Sequence, residues 1–278
     1  MYLTYFKGQW EEGNVALYGA MDHSVWLGSS VFDGARAMRG HLPDLRAHLQ
    51  RVIVSAERLG LQCPLSVDAM EALTREGVAK FAPDAELYIR PLVFGCEGFL
   101  VPEAAHSGFA LTLFDAPLPP FTGFSACLSP LRRPDADMAP TDAKASALYA
   151  NSTRVMRDAQ ARGFDNGIVL DSQGAVAEFA TSNLFLVTPD GTVVTPVPNG
   201  TFLAGITRAR VMALLAEAGV AVQERTVLPA ELASALEIFS TGNYGKVTPC
   251  VRYEARTLAT GPIATLARER YLAFTDQH

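Results

Sequence analysis

The chain has 278 residues, enough for one large domain or two of ordinary size, and its balance of 49% hydrophobic to 19% charged residues is that of a globular protein with a substantial core. A net charge of −6 without any basic tract argues against nucleic acid as a partner. No apolar run approaches the roughly 18 residues that a bilayer-crossing helix needs, so no membrane partner is expected.

The first segment, MYLTYFKGQWEEGNV, lacks the basic start, apolar run and small-residue cleavage site of a signal peptide, and a cytoplasmic protein is expected. Residues up to about 115 pass through strand-like, helical and again strand-like segments. SVDAMEALTREGVAKF, residues 66–81, reads as a helix capped by Ser66, with Val67, Met70, Val78 and Phe81 on one face. ELYIRPLVFG and FALTLFDAP are strand-like in their β-branched and aromatic content. The three prolines and one glycine of DAPLPPFTGF, residues 115–124, suit an interdomain linker.

The second half opens with strand-like SACLSPLR and a proline-marked polar loop, RRPDADMAPTDA. A helix is expected through STRVMRDAQARG, ending at Gly163. GIVLDSQGAVAEFA and NLFLVTPDGTVVTP read as hairpins with Gln173-Gly174 and Asp190-Gly191 in their turns. ITRARVMALLAEAG is a helix with Val211, Leu214, Leu215 and Ala218 on its apolar face. The pattern is α+β in two domains: a smaller N-terminal α/β domain (1–118), a linker (119–124) and a larger C-terminal domain (125–278). Cys63, Cys96, Cys127 and Cys250 have no CxxC spacing, so reduced thiols are expected and no metal.

Only four of the 23 basic side chains are lysines, and one of them, Lys144, sits in TDAKASALYANS among small residues. Arginine is the better residue for a permanent ion pair, whereas a lysine amine can shed its proton and act as a nucleophile. Composition and periodicity do not say whether Lys144 does so.

The motifs KASALY, EFATSNLF, FLAGITR, HLQR and VFDGAR, from about Gly28 to Pro249, resemble in order and spacing the class IV, pyridoxal-phosphate-dependent aminotransferases. This is the fold type IV group of branched-chain and D-amino acid transaminases and aminodeoxychorismate lyase. The resemblance implies a Schiff base between Lys144 and pyridoxal 5'-phosphate, with the same amine moving a proton during catalysis. It also implies that Glu178 faces the ring nitrogen and Tyr149 the ring oxygen. The phosphate would be held by Arg51, by the helix start at Gly205, Ile206 and Thr207, and by the turn at Gly242 and Asn243. Lys246, in GNYGKVTP, matches no Schiff-base position of the family.

On the substrate side, Phe32, Arg36, Tyr88 and Arg90 resemble the branched-chain pattern, in which apolar walls and cations accept both a hydrophobic side chain and the carboxylate of 2-oxoglutarate. Tyr244 is expected to shape the same pocket. Three residues depart from the pattern: Leu27 replaces a typical tyrosine, Asn243 a common threonine, and Tyr244 a small residue. The resemblance thus implies transamination of a branched-chain or other hydrophobic L-amino acid by a homodimer. A D-amino acid or (R)-amine transaminase, or an aminodeoxychorismate-type lyase, uses the same anchors and remains the alternative.

Overall fold

The computed structural model describes residues 1–276; Gln277 and His278, at the end of the expected second domain, lie outside the described residues. The chain divides into two compact units. The first comprises Met1–Leu118, Ala143–Leu148 and the residues from Thr275 on; the second comprises Pro119–Asp142 and Tyr149–Phe274.

In the first unit, strands β1 (Tyr2–Phe6) and β2 (Gln9–Glu12) precede a short helix α1 (His23–Leu27). Strands β3 (Ser30–Phe32) and β4 (Ala35–Ala37), helices α2 (Leu45–Arg58) and α3 (Val67–Val78), and strands β5 (Leu87–Gly95) and β6 (Ser107–Asp115) follow. The antiparallel sheet runs β2-β1-β6-β5-β3, with β4 also on β5. Alternation along β5 decides its faces: Leu87, Ile89 and Val93 are buried with Leu111 and Leu113 of β6 in a core shared with α2 and α3. The expected helix at 66–81 is α3, whose Ser66 hydroxyl accepts from the Ala69 N–H. It stops at Val78, and Phe81 packs on the same core from the loop beyond.

The second unit contains β7 (Phe124–Arg132), α4 (Tyr149–Ala161), β8 (Asn166–Leu170), β9 (Val176–Phe179), β10 (Asn183–Val187) and β11 (Val193–Pro196). After these come α5 (Ile206–Glu217), β12 (Val222–Arg225), α6 (Pro229–Ser234), β13 (Glu237–Gly242), β14 (Lys246–Tyr253), β15 (Arg256–Thr257) and α7 (Pro262–Thr275). Its sheet runs β12-β11-β10-β13-β14-β7-β8-β9, with β15 beside β14. The pairs β11–β12, β14–β7 and β7–β8 are parallel. Both expected hairpins form, with Gly174 and Gly191 at φ 89° and 86° in their turns. Strand β10 is buried on both faces: Leu184 and Leu186 enter one core, Phe185 and Val187 another. The helix expected at 152–163 is α4, which starts earlier, at Tyr149, and Gly163 follows it at φ 78°.

All four cysteines are free, and burial pushes the Cys250 thiol up to about 12. Among the described residues no helix is long and apolar enough to cross a membrane.

Candidate active site

Strand register gathers the first group of side chains. Arg36 lies opposite Tyr88, and Phe32 opposite Leu92. Alternate residues of a strand share a face, so Phe32, Arg36, Tyr88 and Arg90 project from the side of the sheet that α2 and α3 do not cover. Arg36 is fully buried and donates to the Ala116 carbonyl, whereas Arg90 is exposed. Tyr88 stacks on Phe114 with centroids 5.3 Å apart.

Lys144 joins this face through its backbone. Its N–H donates to Ser55 Oγ (3.1 Å), its carbonyl accepts from the Phe32 N–H (3.2 Å), and Ala145 bridges to Val31. The half-buried Lys144 Nζ lies 5.0 Å from the Phe32 ring centroid, and the Arg90 guanidinium also lies 5.0 Å from it. One aromatic ring therefore has an amine and a guanidinium for neighbours.

Behind Phe32 is a charge cluster that the motifs did not single out. Asp33 is fully buried, and its carboxylate accepts from Arg51 Nε (2.6 Å) and Nη2 (2.9 Å) and lies 2.7 Å from His48 Nδ1. Burial alone would push this carboxyl up, but Arg51 and His48 outweigh it and hold Asp33 well below the usual carboxylate range. His48, Arg51 and Ser55 recur at i, i+3 and i+7 on α2, one face of the helix, which thus grips both Asp33 and the Lys144 backbone. Arg51 is accordingly no loose surface arginine; its orientation is set by Asp33.

In the second unit the corresponding chemistry is acidic and anion-seeking. Glu178 on β9 is buried, accepts from Asn183 Nδ2 (3.3 Å) and lies 3.5 Å from Arg133 Nε. Asn183 also donates to the Leu203 carbonyl (3.0 Å), tying β10 to the loop before α5. Gly205 begins α5 without a side-chain cap, so the first N–H groups of the helix at Ile206 and Thr207 are not met by the residue before it. A Cβ at Gly205 would stand 2.0 Å from Asn183 Oδ1, which explains the glycine. Arg208, by contrast, is structural: its buried guanidinium bonds Thr195 Oγ1, the Pro196 carbonyl and Glu224.

Gly242 ends β13 and Asn243 begins the turn to β14, across which Lys246 Nζ donates to Asn243 Oδ1 at 2.7 Å. Thr241, just before them, is 1% exposed and its hydroxyl has no hydrogen-bond partner among the described residues. Thr241 pairs directly with Asn183, so the two side chains share a face of the sheet. Tyr149 is half-buried at the first turn of α4, and Tyr244 is 65% exposed at the turn tip.

Asp33, His48, Arg133, Asn183 and Lys246 thus join the residues expected from sequence. Asp33 and His48 stood inside quoted motifs, but as single polar letters they carried no partner; the partners lie 15 and 18 residues apart in sequence. The first unit offers an amine at Lys144, and the second offers a buried carboxylate at Glu178, an uncapped helix start and an orphaned buried hydroxyl at Thr241; each is a kind of group that a phosphorylated aldehyde-bearing ring engages.

Comparison with known proteins gives these groups their context. The amino-transferase class IV family model matches residues 30–253. An aminotransferase from Brucella abortus, solved bound to the co-factor PLP, is 47% identical with a TM-score of 0.97, over 99% of each chain. A probable branched-chain-amino-acid aminotransferase of Aquifex aeolicus (strain VF5) is 30% identical over 97% of this chain and 90% of its own length. A branched-chain aminotransferase from the archaeon Thermoproteus uzoniensis, solved with norvaline, is 27% identical with a TM-score of 0.90, over 99% of this chain and 95% of that one. With the family model spanning most of its length and these enzymes nearly all of it, the chain belongs to the class IV aminotransferases, the pyridoxal-phosphate-dependent family of fold type IV.

Proposed function

We propose that this aminotransferase moves the amino group of a branched-chain or other hydrophobic L-amino acid to a 2-oxo acid such as 2-oxoglutarate, with Lys144 as its catalytic residue. The observation that carries the reading is the Phe32 ring, with Lys144 Nζ and the Arg90 guanidinium each 5.0 Å from its centroid. A substrate reacting at Lys144 would lay its apolar side chain against Phe32 and Tyr88, and Arg90 would hold a carboxylate. Arg36, buried and bonded to the Ala116 carbonyl, backs that wall with a second positive charge. The branched-chain relatives from Aquifex and Thermoproteus support the substrate class.

Pyridoxal phosphate, when bound, supplies an electron sink that lets the C–H bond beside the substrate amine ionise. Lys144 Nζ is the base that takes this proton and the acid that returns one, a task closed to a guanidinium. Glu178, steadied by Asn183 and Arg133, would face the ring nitrogen and keep it protonated, and Tyr149 would reach the ring oxygen. Arg51, oriented by Asp33, would supply a cation for the phosphate, with the N–H groups at Gly205, Ile206 and Thr207 and the Gly242-Asn243 stretch adding donors. Tyr244 would border the substrate.

The working form is a cytoplasmic homodimer in this reading, and an exposed apolar cluster supports the second copy. Trp26, Leu27, Phe99, Leu100 and Val101 are 48%, 43%, 70%, 73% and 74% exposed.

The test is spectroscopic and kinetic. Purified wild type is expected to show the visible absorbance band of a lysine-bound cofactor. Lys144→Ala loses that band and about a thousandfold or more of turnover. An unchanged bound-cofactor spectrum in the variant would remove Lys144 from this role. L-leucine, D-alanine and (R)-1-phenylethylamine, each assayed with 2-oxoglutarate and with pyruvate, decide the substrate: turnover of the D-amino acid or amine and none of L-leucine overturns the branched-chain reading.

A further inference from the structure

The turn between β13 and β14 carries a buried cation to which the transamination chemistry assigns no task. Lys246 is 2% exposed, and its backbone is left-handed at φ 58°. Both features are unfavourable for a lysine. A buried ammonium loses its hydration, and a Cβ is strained in a region that Gly and Asn occupy more readily. A residue kept against two such costs has a use for its side chain.

That side chain reaches back across the turn. Gly242 pairs with Lys246 in the ladder, so residues 243–245 form the whole turn, and Lys246 Nζ donates to Asn243 Oδ1 at 2.7 Å. The ammonium also sits over the Tyr271 ring, 5.2 Å from its centroid. An ammonium has donors only, so the Asn243 atom it touches is the carboxamide oxygen. With the oxygen anchored on Lys246, the Nδ2–H₂ group is turned to the opposite side. An unanchored asparagine flips between presenting oxygen, which repels an anion, and nitrogen, which binds one.

We infer that Lys246 is a positioning residue that holds the Asn243 carboxamide with its N–H groups toward the cofactor's phosphate. The inference rests on the proposed phosphate contact at the Gly242-Asn243 turn and explains how asparagine serves where the family commonly has threonine. A threonine hydroxyl rotates to donate by itself and needs no anchor. Asparagine donates with fixed polarity and needs one.

Full-length apoenzyme variants are tested by equilibrium dialysis against pyridoxal phosphate and against pyridoxal, which lacks the phosphate. Asn243→Ala is expected to lower the preference for pyridoxal phosphate about 10–30-fold, the loss of one charge-assisted hydrogen bond. Lys246→Met lowers it about 5–10-fold and changes pyridoxal affinity by less than about twofold. In an Asn243→Thr background the same Lys246→Met change alters the preference by less than about twofold, because the partner it orients is gone. Lys246→Asn, whose residue type tolerates the left-handed backbone, replaces the methionine variant if that one does not fold, with the same expectation. An unchanged preference in Asn243→Ala overturns the phosphate contact and, with it, the role of Lys246. A lowered preference in Asn243→Ala combined with none in Lys246→Met overturns the Lys246 assignment alone. So does an equal loss for both ligands, or an effect of full size in the Asn243→Thr background.

Discussion

Asp33 has no contact with solvent, yet it is kept ionised by two partners on one helix face, His48 and Arg51. Removing one member of such a buried group leaves the others uncompensated, which costs more than the pair itself contributes. Asp33→Asn is expected to lower unfolding stability by about 3 kcal/mol, read as a lower urea midpoint at unchanged slope. The pH dependence has a definite sign. The folded carboxyl titrates below its ordinary value near 4, so its stabilisation is complete above that pH and is lost as pH falls toward the folded value. Wild type should therefore lose stability more steeply than Asp33→Asn between about pH 4 and pH 2; parallel curves would show that the cluster is not coupled to folding. This cluster also marks how far residue-level reading reaches. Lys144, Glu178 and Arg51 were legible because they stand in motifs, whereas Asp33 and Lys246 acquire meaning only from a partner brought to them by a helix face or a turn. A lone Asp or Lys letter carries no such information.

Elements with local signals were legible: α3 from its Ser66 cap and apolar spacing, the two hairpins of the second unit from their Gly turns. The cap of helix α7 is a different matter, because it comes from another strand and no local window contains it. Glu237 on β13, 5% exposed, accepts from the Ile263 N–H (3.1 Å) and the Ala264 N–H (2.9 Å), residues 26 and 27 positions away. A carboxylate there satisfies two orphan donors and complements the positive end of the helix dipole. Gly261 lets it approach, since a Cβ at that position would lie 1.8 Å from Glu237 Cδ. Glu237→Ala is expected to destabilise by about 2 kcal/mol, and Gly261→Ala by a similar amount through displacing the same carboxylate. The two changes should then be far from additive in a double variant, measured by chemical denaturation. Additive losses would mean that the glycine and the cap act independently.

At the scale of the whole molecule, prolines 117, 119 and 120 mark the region where the chain passes from one unit to the other, between Leu118 and Pro119. The return of residues 143–148 to the first unit has no mark of its own, because it depends on Ala145 bridging to Val31 and Lys144 bonding Ser55, contacts that no window of sequence contains. The proposed association has a candidate surface in the first unit. Gly98 at φ 124° and the Gly98–Pro102 bridge close a tight loop that presents Phe99, Leu100 and Val101, and Phe99 meets Trp26 edge-on at 5.4 Å. Side chains this exposed make little contribution to folding, so charging them tests association without unfolding the chain. Burying each in a partner contributes up to about 1.5–3 kcal/mol, and losing two such contacts weakens association by more than about a hundredfold. Sedimentation velocity at micromolar concentration should find wild type at two chain masses and the Phe99→Asp, Leu100→Asp double variant at one, with the thermal unfolding of the apo chain still cooperative. A wild-type chain sedimenting at one mass would remove the second copy from the proposal; a double variant still at two masses would move the contact elsewhere on the surface.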